Sequence, residues 1–140
     1  SAAKFARYLM GPPRRAQGFN AIGSALLFAK DLIDKNDIWS FRRVIDISAD
    51  SANNWSGPPI DVARQQVIDA DITINGLAVL CRHCSGRPNN YDLENAFQEL
   101  IIGGNGAFVI TADSPDTFSE AVRKKLIMEI ADYPGAVRVD

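Results

Sequence analysis

Histidine and cysteine are scarce in this sequence of 140 residues, which contains one histidine and two cysteines. With a single histidine, a nucleophile–base–acid arrangement for acyl transfer has no obvious base. A closed zinc site needs four ligands, and the segment that holds Cys81, His83 and Cys84 supplies only these three side chains. We therefore predict that the protein is not an enzyme.

Long apolar runs and a strong net charge are also missing. No apolar run approaches the roughly 18 residues that a membrane span requires, and no basic-then-apolar signal segment occurs at the start. The net charge is -2, whereas a nucleic-acid-binding protein normally carries a basic face. The sequence therefore predicts neither a membrane span nor a nucleic-acid partner.

Stretches with helical spacing alternate with short apolar runs over most of the chain, whose length fits a single domain at 1–140. Asn20 is a good N-cap for the first complete helix. Strands that alternate with helices of this length indicate a parallel sheet covered on both faces. We predict an α/β fold, a three-layer αβα sandwich with a Rossmann-like sheet, with strands at 41–48, 72–80 and 107–111 and helices at 2–10, 21–34, 60–70, 91–102 and 115–130.

Two local patterns add detail to this prediction. Gly76 interrupts the nearly continuous apolar run of the second strand, which indicates a close approach of another element or a β-bulge. The last helix has apolar residues at every fourth position, which we expect to face the core: Phe118, Val122, Leu126 and Ile130.

The first strand ends in oxygen-bearing side chains: Asp46, Ser48, Asp50 and Ser51. Open parallel sheets build their sites beyond the carboxyl ends of the strands, and hard cations such as Mg²⁺ and Mn²⁺ take oxygen ligands. A divalent-metal site is therefore one interpretation. The alternative is a polar loop whose side chains satisfy its own backbone, with Asp46 as a structural partner of Arg42, Arg43 or the loop backbone.

Four motifs occur together in one order: RRVIDISAD at 42–50, ITINGL at 72–77, IGGNGAFV at 102–109 and RKKL at 123–126. In these motifs the sequence resembles an uncharacterised bacterial family with a von Willebrand factor type A-like domain. The resemblance covers most of the chain. It implies a mostly parallel, Rossmann-like sheet and a non-enzymatic protein-binding module.

The resemblance also implies a metal-ion-dependent adhesion site that three loops form at the carboxyl edge of the strands. The third-loop aspartate matches Asp50, and the second-loop position matches Asn20, where the family usually has threonine. We expect the first-loop Asp-x-Ser-x-Ser motif to lie before the start of this sequence. Asp46-x-Ser48-x-Asp50 mimics that motif, but the flanking matches place it in the third loop. We expect a degenerate Mg²⁺ or Mn²⁺ site at Asp50, Asn20 and Ser48 in a truncated von Willebrand A-like domain.

A truncated domain of this kind would leave its apolar first strand unpaired along one edge. Exposed strand edges recruit other chains. We expect a homo-oligomer through the strand near Val44, or association with a missing N-terminal segment. A metal-free, self-associating structural fragment is therefore the alternative to a metal-dependent binding module.

Cys81 and Cys84 form a C-x-x-C pair after the second predicted strand. The pair admits three interpretations: a structural disulfide or inert thiols, a thiol redox protein, or metal ligands. Redox motifs of this spacing open a helix, whose N-terminus activates the thiol, whereas SGRP follows here at 85–88. A disulfide would favour an exported protein, and the resemblance also points to a periplasmic or secreted location.

Overall fold

The computed structural model describes residues 3, 4, 7, 20–80 and 92–131. Residues 3, 4 and 7 are helical; the rest of the predicted first helix and the chain after residue 131 lie outside the described residues. The elements are α1 (Ile22–Lys35), β1 (Arg43–Ala49), α2 (Ile60–Asp69), β2 (Ile72–Val79), α3 (Leu93–Leu100), β3 (Val109–Ala112) and α4 (Pro115–Ala131). No helix in the described ranges is long and apolar enough to cross a membrane.

The three strands form one parallel sheet in the order β1-β2-β3. Ile45 of β1 lies opposite Ile74 of β2, and Leu77 of β2 lies opposite Ile110 of β3. β2 is buried along all but its last residue, because it has a strand on either side and helices over both faces. The predicted α/β, Rossmann-like fold is confirmed.

One face of the sheet shares an apolar core with α1, α2 and α3. Leu26 from α1, Val67 from α2 and Phe97 from α3 are completely buried there. Gly76 allows the ring of Phe97 to approach β2, since a Cβ atom at this position would lie 2.7 Å from Cδ1 of the ring. The predicted close approach at Gly76 is confirmed, and the pairing of β1 with β2 continues through it without a bulge.

The other face of the sheet packs against α4. Leu77, Ile110 and Ala112 from the sheet form a smaller buried cluster with Ala121 of α4. Helices therefore cover both faces, and the predicted three-layer αβα arrangement is confirmed. Towards β1, polar side chains replace this apolar layer.

The face of α4 that contacts the sheet differs from the predicted one. Phe118, Leu126 and Ile130 are 43%, 51% and 70% exposed, so their predicted burial is wrong, whereas Val122 packs partly buried against the smaller cluster as predicted. Ala121 and Lys125 are buried instead, which corresponds to a rotation of the helix by about 100°. The physical reason is that Ala121 is small enough for close packing, while Lys125 finds the carboxylate of Asp46 beneath the helix and that of Glu129 one turn further along it.

Candidate functional site

Two loops meet at the carboxyl end of β1, where the sequence predicts a binding site. The side-chain amide of Asn20, just before α1, donates a hydrogen bond of 2.7 Å to Oγ of Ser51, which is buried. The backbone carbonyl of Asn20 accepts a hydrogen bond of 2.9 Å from the N–H of Trp55. The loop before α1 is thus joined to the loop after β1, next to Asp50. We call this contact the Asn20–Ser51 junction.

Asn54 makes a further link between the same two loops. The first N–H groups of a helix have no partner within the helix, and that of Gly23 in α1 donates to Oδ1 of Asn54 at 3.2 Å. The predicted N-cap role of Asn20 is wrong: Ala21 precedes the helix, and no side chain caps it from that position. The amide of Asn20 is instead bonded to Ser51, and Asn54 supplies an acceptor from the loop after β1.

The three predicted metal ligands lie in different settings. Asn20 is half-buried at the junction, whereas Ser48 and Asp50 are exposed. Since side chains alternate along a strand, Ser48 belongs to the face of β1 that also carries Asp46. In the structure Asn20 lies against the loop that contains Asp50, but its side chain is hydrogen-bonded to Ser51 and not to Ser48 or Asp50.

The donors at the junction suit a hard cation. Asp50 offers an exposed carboxylate and Asn20 an amide oxygen, and the described residues include no histidine or cysteine. Mg²⁺ and Mn²⁺ bind oxygen donors of this kind and retain several waters. In the described ranges no three histidine, cysteine, aspartate or glutamate side chains are grouped to hold a metal ion. The oxygen atoms of Asp50 and Asn20 would therefore bind a divalent cation only weakly.

A second polar site, which the sequence analysis missed, lies between α4 and the sheet. Lys125 is only 5% exposed, and its ammonium group contacts the carboxylates of Asp46 in β1 and Glu129 in α4. The distance from Nζ of Lys125 to Oε1 of Glu129 is 2.5 Å. A lysine this deeply buried needs paired carboxylates. In the sequence, the spacing of four residues between Lys125 and Glu129 indicates an ion pair on one face of a helix.

Asn75 and Arg42 hold Glu129 in position. Nδ2 of Asn75 donates to Oε1 of Glu129 at 3.3 Å, and Oδ1 of Asn75 accepts from the N–H of Phe108 at 3.3 Å. Nη1 of Arg42 donates to the backbone carbonyl of Glu129 at 3.1 Å. We call Asp46, Asn75, Lys125 and Glu129 the Lys125 network; it connects β1, β2 and α4 through polar contacts.

The pKa values of the two carboxylates in the Lys125 network are shifted in opposite directions. Burial, together with the neighbouring Glu129, raises the pKa of Asp46 above its ordinary value of 3.8. Burial alone would also raise the pKa of Glu129, but hydrogen bonds from Asp46, Lys125 and Asn75 outweigh it and lower that pKa below 4.5. Two carboxylates that share one ammonium group therefore differ in acidity because their hydrogen-bond partners differ.

A cleft of about 380 Å³ lies at the carboxyl end of β3, between α3 and α4. Glu94, Asp113 and Glu120 line it together with Lys124, and Oγ1 of Thr111 donates to Oε2 of Glu94 at 2.7 Å. These acidic groups are not arranged as a metal site in the described part of the chain. We assign no function to this cleft.

Cys81 and Cys84 lie outside the described residues. The disulfide, the thiol redox activity and the metal-ligand role considered for this pair therefore stay predictions.

A family model described as "Protein of unknown function (DUF1194)" matches residues 1–134. The chain belongs to this family. The matched range includes both the Asn20–Ser51 junction and the Lys125 network, and it agrees with the predicted membership of an uncharacterised family. A search of curated proteins and a search of solved structures each returned no match.

Proposed function

We propose that the domain is a non-enzymatic protein-binding module of the von Willebrand A-like type, with a degenerate divalent-cation site at the carboxyl end of β1. The observation that carries this proposal is the hydrogen bond between Asn20 and Ser51, which joins two loops beside Asp50. In open parallel sheets, ligands bind outside the carboxyl ends of the strands. The parallel order β1-β2-β3 with helices on both faces supports the same type of domain.

Asp50 and the amide oxygen of Asn20 are the two residues that would hold Mg²⁺ or Mn²⁺, with Ser48 as a third candidate ligand. A bound hard cation offers an open coordination position to an oxygen ligand such as a carboxylate of a partner protein. Trp55 is 65% exposed beside the junction, and exposed tryptophans are frequent anchors of protein interfaces. A cation and an aromatic side chain together would provide a compact binding surface.

Calorimetric titration with MnCl₂ and MgCl₂ tests the cation site. We expect saturable binding to the wild-type protein, and its loss in Asp50→Ala, because Asp50 is the only carboxylate at the junction among the residues that the structure describes. Asp37→Ala is the matched control, since Asp37 is also exposed and lies before β1, at the opposite end of the sheet. Equal binding by Asp50→Ala and the wild type would contradict the proposed site.

A capture experiment tests protein binding. The immobilised protein is exposed to a cell extract in MgCl₂ and washed with EDTA, and the released proteins are identified by mass spectrometry. We expect a defined protein whose capture is lost with Asp50→Ala and with Trp55→Ala but retained with Asp37→Ala. Capture that is insensitive to EDTA and to both substitutions would place binding elsewhere on the domain.

A further inference from the structure

The dipeptide Asn-Gly occurs twice in the sequence, at Asn75-Gly76 and at Asn105-Gly106. Asparagine is a thermally labile residue, because the backbone nitrogen of the next residue can attack its side-chain amide and expel ammonia. Glycine at the next position favours this reaction, since it has no side chain to obstruct the attack. The two dipeptides have the same chemistry, so a large difference in their reactivity must come from the fold.

The structure holds both reacting groups of Asn75-Gly76 in hydrogen bonds. Asn75 is completely buried in β2; its Nδ2 donates to Glu129, and its Oδ1 accepts from the N–H of Phe108. The N–H of Gly76, whose nitrogen would attack, donates to the backbone carbonyl of Phe108 at 2.9 Å. Both residues belong to the central strand, between β1 and β3. The reaction at Asn75 therefore requires local unfolding of the sheet.

Asn105-Gly106 lies in the turn between α3 and β3, and both residues are exposed. Within the described part of the chain, the side-chain amide of Asn105 and the N–H of Gly106 make no hydrogen bond. A single long bond of 3.4 Å closes the turn, from the N–H of Ala107 to the carbonyl of Gly104. Gly106 has a φ of +69°, which suits glycine at the third position of a turn. This turn can therefore rearrange without opening the sheet.

We propose that Asn105 is a site of spontaneous deamidation in the folded protein, whereas the sheet protects Asn75. The backbone nitrogen of Gly106 forms a bond with Cγ of Asn105, the Cγ–Nδ2 bond breaks, and the NH₂ group leaves as ammonia with the proton of the backbone nitrogen. Water then adds a hydroxyl to one of the two carbonyls of the resulting cyclic imide and returns a proton to the nitrogen. Opening at Cγ gives aspartate; opening at the backbone carbonyl gives isoaspartate, whose main chain runs through Cβ and Cγ.

Isoaspartate at position 105 would disturb a turn that is anchored to β2 on both sides. Before the turn, Gly103 and Ile74 exchange backbone hydrogen bonds of 2.8 and 3.2 Å. Within the turn, the hydroxyl of Thr73 donates to the backbone carbonyl of Asn105 at 3.1 Å, and after it β3 pairs with β2. Isoaspartate adds one carbon atom to the main chain between these anchors. We therefore expect the isoaspartate form to unfold at a lower temperature than the unmodified protein.

Peptide mapping by tandem mass spectrometry tests the proposal, after incubation of the full chain at neutral and at alkaline pH. We expect conversion at Asn105 to be at least about tenfold faster than at Asn75. Conversion should accelerate at alkaline pH, because the nitrogen of Gly106 attacks after losing its proton. Digestion with pepsin at acid pH keeps the reaction slow during the analysis. Equal conversion at the two sites, or none at Asn105, would overturn the proposal.

Incubation in guanidinium chloride shows whether the fold causes the difference. Both dipeptides lose their native contacts in the unfolded chain, so we expect Asn75 and Asn105 to react at comparable rates there. A tenfold difference that persists in the unfolded chain would overturn the protective role of the sheet.

Asn105→Gln tests the consequence for stability. The longer side chain would have to close a larger ring, so we expect no modification at position 105. During incubation at alkaline pH, the unfolding temperature of the wild type should fall as isoaspartate accumulates, while that of Asn105→Gln should fall less. An equal fall in both proteins would contradict the effect assigned to isoaspartate. The turn lies at the amino end of β3, away from the Asn20–Ser51 junction, so these tests do not depend on the proposed cation site.

Discussion

The two faces of the sheet achieve burial with different chemistry. On the face of α1, α2 and α3, the deepest side chains include Leu26, Leu93 and Phe97, all with no exposed surface. On the face of α4, Asn75 and Lys125 lie at nearly the same depth, at 0% and 5% exposure. Apolar burial stabilises without a preferred direction, whereas a buried polar group is tolerated only when its partners are in place.

This difference assigns different roles to the two faces. The apolar face supplies most of the stability, because it buries the larger share of apolar side chains. The polar face fixes the position of α4 by requiring Lys125 to reach Asp46 and Glu129. It also leaves the apolar side chains of Phe118, Leu126 and Ile130 exposed on α4. Three substitutions test these roles and a fourth tests the loops at the carboxyl end of β1, in order of decreasing effect.

Phe97→Ala tests the apolar face and should have the largest effect. The ring is fully buried against Gly76, so its removal should lower the free energy of unfolding by about 3–5 kcal/mol. Urea denaturation followed by circular dichroism measures the change. Phe118→Ala is the control on the other face, and because Phe118 is 43% exposed it should cost less than about 1.5 kcal/mol. Similar losses for both variants would contradict the comparison.

Lys125→Ala tests the polar face. Removing one member of a buried ion pair leaves the carboxylates uncompensated, and because Asp46 is half-exposed we expect a loss of about 2 kcal/mol. The neighbouring Lys124 is exposed, so Lys124→Ala should change the free energy of unfolding by less than about 0.5 kcal/mol. The same urea titrations measure both. If the two variants were equally stable, the Lys125 network would not position α4.

Asn54→Ala tests the junction at the carboxyl end of β1. The variant loses the acceptor for the N–H of Gly23, and the loss of a helix-capping bond costs about 1 kcal/mol. Asn53→Ala removes the same side chain from the adjacent position, which makes no side-chain hydrogen bond in the described structure, and should be nearly neutral. Thermal unfolding measures both. A neutral Asn54→Ala would show that α1 does not depend on this loop.

Asp46→Asn tests the pH dependence and should have the smallest effect. Because folding raises the pKa of Asp46, its stabilising contribution is complete below 3.8 and is lost as the pH rises through the raised pKa. The amide side chain of the variant does not titrate, so the variant does not lose stability in this way. The stability of the variant relative to the wild type should therefore increase with pH across that window. The groups that face Asp46 are Lys125 and Glu129 from α4 and the non-titrating Asn75 from β2.

Urea titrations at a series of pH values measure the difference between the wild type and Asp46→Asn, which we expect to change by less than about 1 kcal/mol. Glu129 acts in the opposite sense in the wild type: its lowered pKa gives stability that is present above 4.5 and lost as the pH falls through the lowered pKa. Parallel pH profiles for the wild type and Asp46→Asn would show that Asp46 does not titrate within the network.

The sequence alone was sufficient for the architecture because local patterns determine it. The apolar runs at β1 and β2 and the helical spacing between them can be recognised from short stretches of sequence. A glycine within an apolar strand, such as Gly76, likewise indicates a close contact at that residue. The α1 cap depends on Asn54, which lies 31 residues after Gly23 in the chain. No local pattern identifies a cap at that distance.

The face of α4 was mispredicted for a similar reason. The spacing of Phe118, Leu126 and Ile130 is that of an amphipathic helix, and a sequence pattern alone assigns a lysine to the surface. Lys125 is buried because the fold places Asp46 beneath it, a residue of β1 far away in the chain. The sequence motif around Asp50 indicated the candidate cation site, but only the structure shows that Asn20 is hydrogen-bonded to Ser51.

We propose that the Asn20–Ser51 junction forms a cation-binding surface at the carboxyl end of β1. The most direct test is a ¹H–¹⁵N NMR spectrum recorded during addition of small amounts of Mn²⁺, whose unpaired electrons broaden nearby signals. We predict that the amide signals of Asn20, Asp50 and Trp55 broaden first, before that of Asp71 at the opposite end of the sheet. Uniform broadening, or broadening that begins elsewhere in the domain, would contradict a cation site at the junction.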